Sequence, residues 1–328
     1  MVITRTPLRI SFFGGGTDYP EHYRAHGGAV LSSSIDRYVY LTVASLSPLF
    51  DHTIRVAYSR TELVRSVDEI QHPSVRECLR FLGIEGGVEI SVTADIPART
   101  GLGSSSSFTV GLLHALHALR GEMASREQLA EEAIHVEQRL IRERVGSQDQ
   151  VAAARGGLNR IYFSDDPEFQ IDPLPISRVR RAALEARLMM VFTGISRAAN
   201  DVLDEQCRRT GENREALAAM RAQVDEAARV LCDERTDLRV FGEMLDHGWR
   251  LKRGLSSMVS NDAIDRAYSV ARERGAIGGK LLGAGSGGFI LLFAEPEDQP
   301  RILEALPGMP KVDFALENTG SRVIYLLS

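Results

Sequence analysis

Gly101-Leu102-Gly103 runs directly into Ser104-Ser105-Ser106-Ser107. Val110, Leu112, Leu113, Leu116 and Leu119 follow at intervals that fit an apolar helix. A loop that enters a helix this way leaves backbone N–H groups unpaired at the partly positive helix end, which attracts anions and phosphate above all. Glycine lets the backbone approach such an anion with no Cβ in the way. The stretch is not a Walker A loop, because no Gly-Lys-Ser/Thr follows the spacer. The same residues would also make an ordinary helix cap after a turn, and on this stretch alone both readings stand.

Most of the 44 Asp and Glu residues must lie on solvated faces. Two acids have unusual settings. Asp18 closes Gly14-Gly15-Gly16-Thr17-Asp18, which reads as a strand-ending turn or a loop that hugs a ligand. Asp149 sits between Gln148 and Gln150 where a helix opens, and Glu137 lies on the helix leading to it. A phosphate site without a Walker lysine still needs cations and a divalent metal. Magnesium takes oxygen ligands, commonly one or two from protein plus the phosphates themselves. The loop, its hydroxyls, these acids and Arg9 beside the glycine turn are the parts that phosphoryl transfer needs. The eight histidines show no His-Glu-x-x-His spacing, so no zinc site is expected. His135 and the lone Trp249 are read as structural.

Gly283-x-Gly285-x-x-Gly288 matches the dinucleotide fingerprint in letters. That fingerprint must follow a strand and open a helix. Here the apolar run 289–293 comes after it, so the dinucleotide reading is rejected. What remains is a glycine turn that approaches a ligand or packs against a neighbouring element.

The elements that must position these residues read as follows. Strands are expected at 2–13, within 28–43, at 55–58, 88–94, 158–163, 188–193, 289–293 and 322–327. Helices are expected at 61–82, 106–120, from Ser125 through Leu140, at 151–154, 198–233, 237–257, 262–273 and 297–305. Residues 165–175, with three prolines and several acids, read as a loop and the best linker. Interleaved strands and helices favour an α+β fold in two layers around mixed sheets.

A chain of 328 residues with 44% hydrophobic and 25% charged residues is ordinary for a globular protein of one large or two smaller domains. The formal charge of −5 and the lack of a basic run argue against a general nucleic-acid partner. No run of about 18 apolar residues suggests a membrane span, and the N-terminus lacks a signal-peptide core. Cys78, Cys207 and Cys232 fit neither a disulfide framework nor a zinc spacing and are expected as buried free thiols. The cytoplasm is the expected compartment.

Taken together the residues resemble the GHMP kinases. Pro7 to Asp18 is similar to the galactokinase-type P-x-R-V-x-L-x-G-E-H-x-D. Pro97 to Ser107 is close to P-x-G-x-G-L-G-S-S-A, and Lys280 to Gly288 to K-x-x-G-x-G-G-G. Gly146-Ser147-Gln148-Asp149-Gln150 resembles the family's G-x-M-D-Q element, and Glu137 precedes Asp149 by the family's spacing. Arg-Ile-Ser-Phe-Phe-Gly-Gly-Gly-Thr-Asp-Tyr, Ser-Ser-Ser-Ile-Asp-Arg-Tyr-Val-Tyr and Gly-Ser-Gln-Asp-Gln-Val-Ala-Ala-Ala-Arg-Gly-Gly look like the D-glycero-D-manno-heptose 7-phosphate kinase branch. Gly15-Gly16 stands where the galactokinase type has Glu-His, which puts galactose in doubt and leaves room for a larger sugar.

The resemblance implies a two-domain fold, with mixed or antiparallel sheets covered by helices and the active site in the cleft between domains 1–182 and 183–328. It implies an ATP- and Mg²⁺-dependent kinase that phosphorylates the anomeric hydroxyl of a small-molecule sugar phosphate. The product would be a heptose 1,7-bisphosphate, a precursor of nucleotide-activated heptose for bacterial surface polysaccharide. Asp149 would orient the sugar O1 and accept its proton, and Arg9 would steady the developing charge. Ser105, with Ser104 as the alternative, and Glu137 would hold magnesium. Arg99, Gly101, Leu102, Gly103, Ser104, Ser105 and Ser106 would bind ATP. Asp18, with Gly15, Gly16 and Thr17, would hold the sugar. Arg197, Lys280 and Arg99 are the candidates for the distal phosphate. Gly283, Gly285 and Gly287 would form the third motif. The long helices after residue 198 leave a face for a partner subunit, and a homodimer is a further expectation. Two other readings stay open: another sugar-1-kinase of the L-fucokinase or galactokinase type, and a non-catalytic phosphosugar-binding module.

Overall fold

Burial alternates at the start of the first strand, Val2–Phe13, and then becomes continuous, so its second half is covered on both sides. The computed structural model describes residues 1–195 and 211–327. The first strand pairs antiparallel with Gly28–Ser45 on one side and with Arg322–Leu326 on the other. The several strands expected over 28–43 are one strand of 18 residues. Its pairing with the first strand shifts register after Pro7, which has no N–H to give to the ladder.

This long strand is the hub of a nine-stranded sheet. One half pairs with Val88–Ala94 and the other with Leu158–Phe163. Leu316–Glu317 and Arg322–Leu326 return from the far end of the chain, so the sheet built mostly from the first half also takes in the last strands. A second, four-stranded sheet orders Lys311–Val312, Leu188–Phe192, Phe289–Phe293 and Gly278–Leu281, all antiparallel.

Two expectations fail for identifiable reasons. Residues 61–82 are not one helix. Thr61–Val64 is a strand on Ile54–Ala57, Val67–Glu69 is a 3₁₀ turn, and the helix is Pro73–Phe81. Pro73 can open a helix but cannot lie inside one, so it divides the segment. Half of the expected linker, Phe169–Pro173, is a strand that hairpins onto Leu158–Phe163. The helix Arg178–Arg187 was not expected. Ser177 caps it, its Oγ accepting from Arg180 N at 3.0 Å. The remaining expected strands lie within a residue or two of their places. So do the helices Ser104–Leu119 and Asp262–Glu273, while Arg126–His135 runs on as a π-helical turn to Leu140 and Arg239–Gly254 stops three residues before its expected end. Of the helix expected over 198–233, residues 211–213 form a turn and Arg214–Cys232 is helical; Arg197 and Cys207 lie outside the described residues. Cys78 is buried as expected, whereas Cys232 is exposed.

The sheets are joined by aromatic packing. Phe12 and Phe13 of the first strand stand edge-on to Phe241 of the helix Arg239–Gly254, at ring distances of 5.5 and 5.2 Å. Phe241 in turn packs on Phe293 of the small sheet. Trp249, on the same helix, is buried among apolar residues as expected. Among the described residues no helix is long and apolar enough to cross a membrane.

Candidate active site

The helix Ser104–Leu119 starts without a side-chain cap. Its N-cap residue is Gly103, in the left-handed region at φ 74. The serines therefore do not serve as caps, and the amides at the helix start face a cleft. Ser107 Oγ donates to Pro7 O at 2.8 Å, and Ser106 Oγ donates to Glu137 Oε2 at 2.9 Å. Ser105 was expected as the partner of Glu137. It lines the cleft with its side chain exposed, and the hydroxyl that reaches Glu137 is that of Ser106, one helical step on.

The third glycine stretch meets the first. A Cβ on Gly101 would lie 2.4 Å from Leu282 O, one on Gly283 2.4 Å from Gly101 Cα, and one on Gly288 2.3 Å from Thr100 O. Two loops thus touch backbone to backbone, and Arg9 N donates to Leu102 O at 3.0 Å from the first strand. Gly285 packs on Val259 and Gly287 on Ile195. These glycines let the two loops pack in close contact, and Gly283, Gly285 and Gly287 also line the cleft. Gly101→Ala, at φ 86 and with backbone in its way, is expected to destabilise the fold by at least about 2 kcal/mol. A urea midpoint unchanged from the parent would contradict that.

Arg9 and Asp149 meet squarely. Arg9 Nε and Nη2 donate to Asp149 Oδ1 and Oδ2 at 2.7 and 2.8 Å, and Nη1 donates to Gly101 O at 2.7 Å. Asp149 comes from the first turn of the helix Gln148–Arg155, so the glycine loop, the first strand and this helix converge on one guanidinium. Asp18 is buried. Its Oδ1 accepts from Gly16 N and its Oδ2 from Gln148 Nε2, both at 2.8 Å. Burial raises its pKa, and Asp149 adds to the rise against these hydrogen bonds. Gly146 has to be glycine here, since a Cβ would lie 1.9 Å from Asp18 Oδ2. Gly15 and Gly16 line the cleft. Thr17 does not: it is fully buried, and its hydroxyl donates to Gly14 O and Ala29 O and accepts from Ala29 N, closing the turn.

Glu137 is buried on a π-helical turn, Val136–Leu140, a departure from the α-helix often found at functional sites. Its Oε2 accepts from Ser106 and from Gln150 Nε2, while Oε1 is buried without a partner. Burial, with Glu143, pushes its pKa up to about 7 against the neighbouring Thr109 hydroxyl and the hydrogen bonds from Ser106 and Gln150. An orphaned carboxylate oxygen beside hydroxyls at the glycine loop suits a hard divalent cation.

Lys280 lines the cleft, but its Nζ donates to Ser11 O at 2.8 Å and Phe12 O at 3.0 Å, which ties the small sheet to the first strand. Arg99 lines the cleft in the left-handed region at φ 64 with an exposed side chain. Lys252 was missed. It lines the cleft from the helix Arg239–Gly254, and Phe241, Leu245, Trp249 and Lys252 fall on one helical stripe. A lysine at the end of an apolar stripe is the signal that would have found it. Together these residues wall a cleft of about 1040 Å³, at the upper end for small-molecule sites, with both sheets contributing.

Known proteins match the chain along most of its length. The family model described as GHMP kinases N terminal domain matches residues 63–157, and GHMP kinases C terminal matches residues 213–311. Together they span more than half of the chain. A D-glycero-alpha-D-manno-heptose 7-phosphate kinase of Campylobacter jejuni is 29% identical, with 92% of each chain covered. A mevalonate kinase of Pyrococcus horikoshii is 26% identical over 95% of this chain and 94% of its own. Among solved structures, a D-glycero-D-manno-heptose 1-phosphate kinase of Bacteroides thetaiotaomicron superimposes over the full length of both chains, with a TM-score of 0.80 at 24% identity.

Proposed function

The chain belongs to the GHMP kinases, and on that premise we propose that it transfers the γ-phosphoryl group of ATP to the anomeric hydroxyl of D-glycero-D-manno-heptose 7-phosphate. The observation that carries the chemistry is the two-point pairing of Arg9 with Asp149 at the mouth of the glycine loop. The acceptor's O–H proton passes to Asp149 as its oxygen bonds to the γ-phosphorus. The bond from that phosphorus to the bridging oxygen breaks, and ADP leaves with the electron pair. Arg9 holds the Asp149 carboxylate in line and lies against the charge that develops. The uncapped amides from Gly101 to Ser106 cradle the β- and γ-phosphates. Asp18, fixed by Gly16 and Gln148, takes a sugar hydroxyl.

Glu137, with the hydroxyls of Ser106 and Ser105, would hold magnesium, which when bound neutralises charge on the β- and γ-phosphates. The orphaned Glu137 Oε1 fits that role. The acceptor assignment draws on the Campylobacter relative and on Gly15-Gly16, which project no side chains into the sugar pocket. The product, a heptose 1,7-bisphosphate, would feed nucleotide-activated heptose for surface polysaccharide, and an ATP-using step of this kind belongs in the cytoplasm.

The test is a coupled ADP-release assay over heptose 7-phosphate, heptose, galactose, L-fucose and mevalonate, with phosphorus NMR of the product. The expected result is turnover of heptose 7-phosphate and a new anomeric phosphate resonance. Turnover of galactose or fucose with none of heptose 7-phosphate overturns the acceptor. No ADP release with any sugar overturns the kinase reading in favour of a binding module.

A further inference from the structure

Among the 39 Lys and Arg residues only Lys252, Lys280 and Lys311 are lysines, and the first two are buried in the cleft wall. Everywhere else the chain uses arginine for positive charge, apart from Lys311 on the small sheet's edge strand. Arginine spreads its charge over a planar fork, while lysine is a compact point charge with three donors that can turn. Two compact cations at one cleft, in a chain that otherwise avoids them, call for a reason in the cleft's chemistry.

The other cations of the cleft centre are already engaged. Arg9 uses three of its five N–H donors, in fixed directions, on Asp149 and Gly101 O, and Lys280 gives two of its three to strand carbonyls. Lys252 Nζ donates to Gly283 O, in the loop packed on Gly101, and to no other acceptor among the described residues. The charged groups facing it are Arg9 from the first strand, Asp18 from the glycine turn, Asp149 from the helix Gln148–Arg155 and Lys280 from the strand Gly278–Leu281. Lys252 therefore stands within electrostatic reach of both carboxylates, with donors to spare, at the contact between the two glycine loops.

We propose that Lys252 is a catalytic residue whose ammonium hydrogen-bonds the γ-phosphoryl group as it passes to the acceptor, beside the Arg9–Asp149 pair. The inference rests on the kinase reading above. It adds no proton transfer to the step: the bonds made and broken are those already described, and the ammonium meets charge spreading over the phosphoryl oxygens. A ligand phosphate that takes up the two spare donors needs no movement of the glycine loop.

Burial, with Arg9, lowers the Lys252 pKa to about 8, against the opposing pull of Asp18 and Asp149. The charged form is the working one, so activity in the free enzyme falls as pH rises through about 8. The three-lysine composition makes a direct test practicable. The full chain is produced with ¹³C-labelled lysine, and K252R and K311R assign the resonances. The Lys252 side chain is then titrated with and without saturating magnesium AMP-PNP, whose binding is checked by calorimetry. The expected result is a midpoint raised by at least one pH unit when the nucleotide is bound, because an adjacent phosphate favours the ammonium. An unmoved midpoint in nucleotide-saturated protein overturns the inference and leaves the kinase reading standing. In steady-state kinetics, K252M is expected to lower kcat about 100-fold, with magnesium AMP-PNP binding weakened about tenfold, the factor that a one-unit midpoint shift implies. K252R is expected to retain more activity and to lose the alkaline limb near pH 8. Parent-like kcat in a folded K252M, or an alkaline limb unchanged in K252R, also overturns it. If no sugar is turned over by the parent enzyme, the acceptor assignment falls while the nucleotide-linked titration still decides Lys252.

Discussion

Asp149→Asn is expected to lower kcat by about 10³-fold or more while magnesium AMP-PNP binds within about threefold of the parent. The amide is nearly isosteric and keeps one oxygen for Arg9, so the cleft keeps its shape. It cannot accept the acceptor's proton, and one of the two Arg9 hydrogen bonds loses its acceptor. Because the Arg9 side chain is only 6% exposed, some of its charge is then left unpaired in a buried place. A stability loss of about 1–3 kcal/mol is expected alongside the kinetic one. Single-turnover measurements of the chemical step, with calorimetry for the nucleotide, separate the two effects. Turnover within tenfold of the parent would remove Asp149 from the mechanism.

Glu137→Gln is expected to act in opposite directions on stability and activity. The folded, metal-free protein holds the Glu137 carboxyl at about 7 against a reference of 4.5, chiefly through burial. A carboxyl raised on folding keeps its full contribution below the unfolded value, and that contribution is lost as pH rises to the folded value. Between about pH 4.5 and pH 7 the parent therefore loses on the order of 3 kcal/mol through this group. Glutamine does not ionise, and it can still accept from Ser106. In chelator, the variant's urea midpoint should match the parent's near pH 4.5 and exceed it above pH 7.5. Kinase activity with magnesium should fall at least about 100-fold, since the orphaned oxygen that suits the cation is replaced. A stability gap that does not widen with pH would show that Glu137 is not the buried titrating acid.

Most strands and most helices were legible because their signals are local, whereas short strands such as Thr61–Val64, Phe169–Pro173 and Gly278–Leu281 were not. Alternation along Val2–Phe13 and Val88–Ala94, and the capping serine before Arg126–His135, need no knowledge of partners. Pro73 was equally local evidence, and it divides the segment that was misread as one helix. Arg9, Asp18, Asp149 and the glycine loop could be singled out because glycine turns and helix starts leave marks in short stretches of sequence.

Other features depend on what meets across the fold. Ser105 and Ser106 are chemically alike in sequence; one helical step of about 100° turns the second toward Glu137 and leaves the first in the cleft. The third glycine stretch could approach a ligand or pack on a neighbour; Gly283, Gly285 and Gly287 line the cleft, and Gly283 and Gly288 also meet backbone at Gly101 and Thr100. Thr17 stood among sugar-binding residues and is spent on closing its own turn. Lys252 is distant in sequence from every group it faces. The sequence alone determined the family, the secondary structure in outline and which short stretches carry chemistry, because propensity, periodicity and turn geometry act over a few residues. Only the tertiary structure decided which hydroxyl reaches the acid, which glycines serve packing and which lysine enters the cleft, because burial and charge coupling depend on distance in space rather than along the chain.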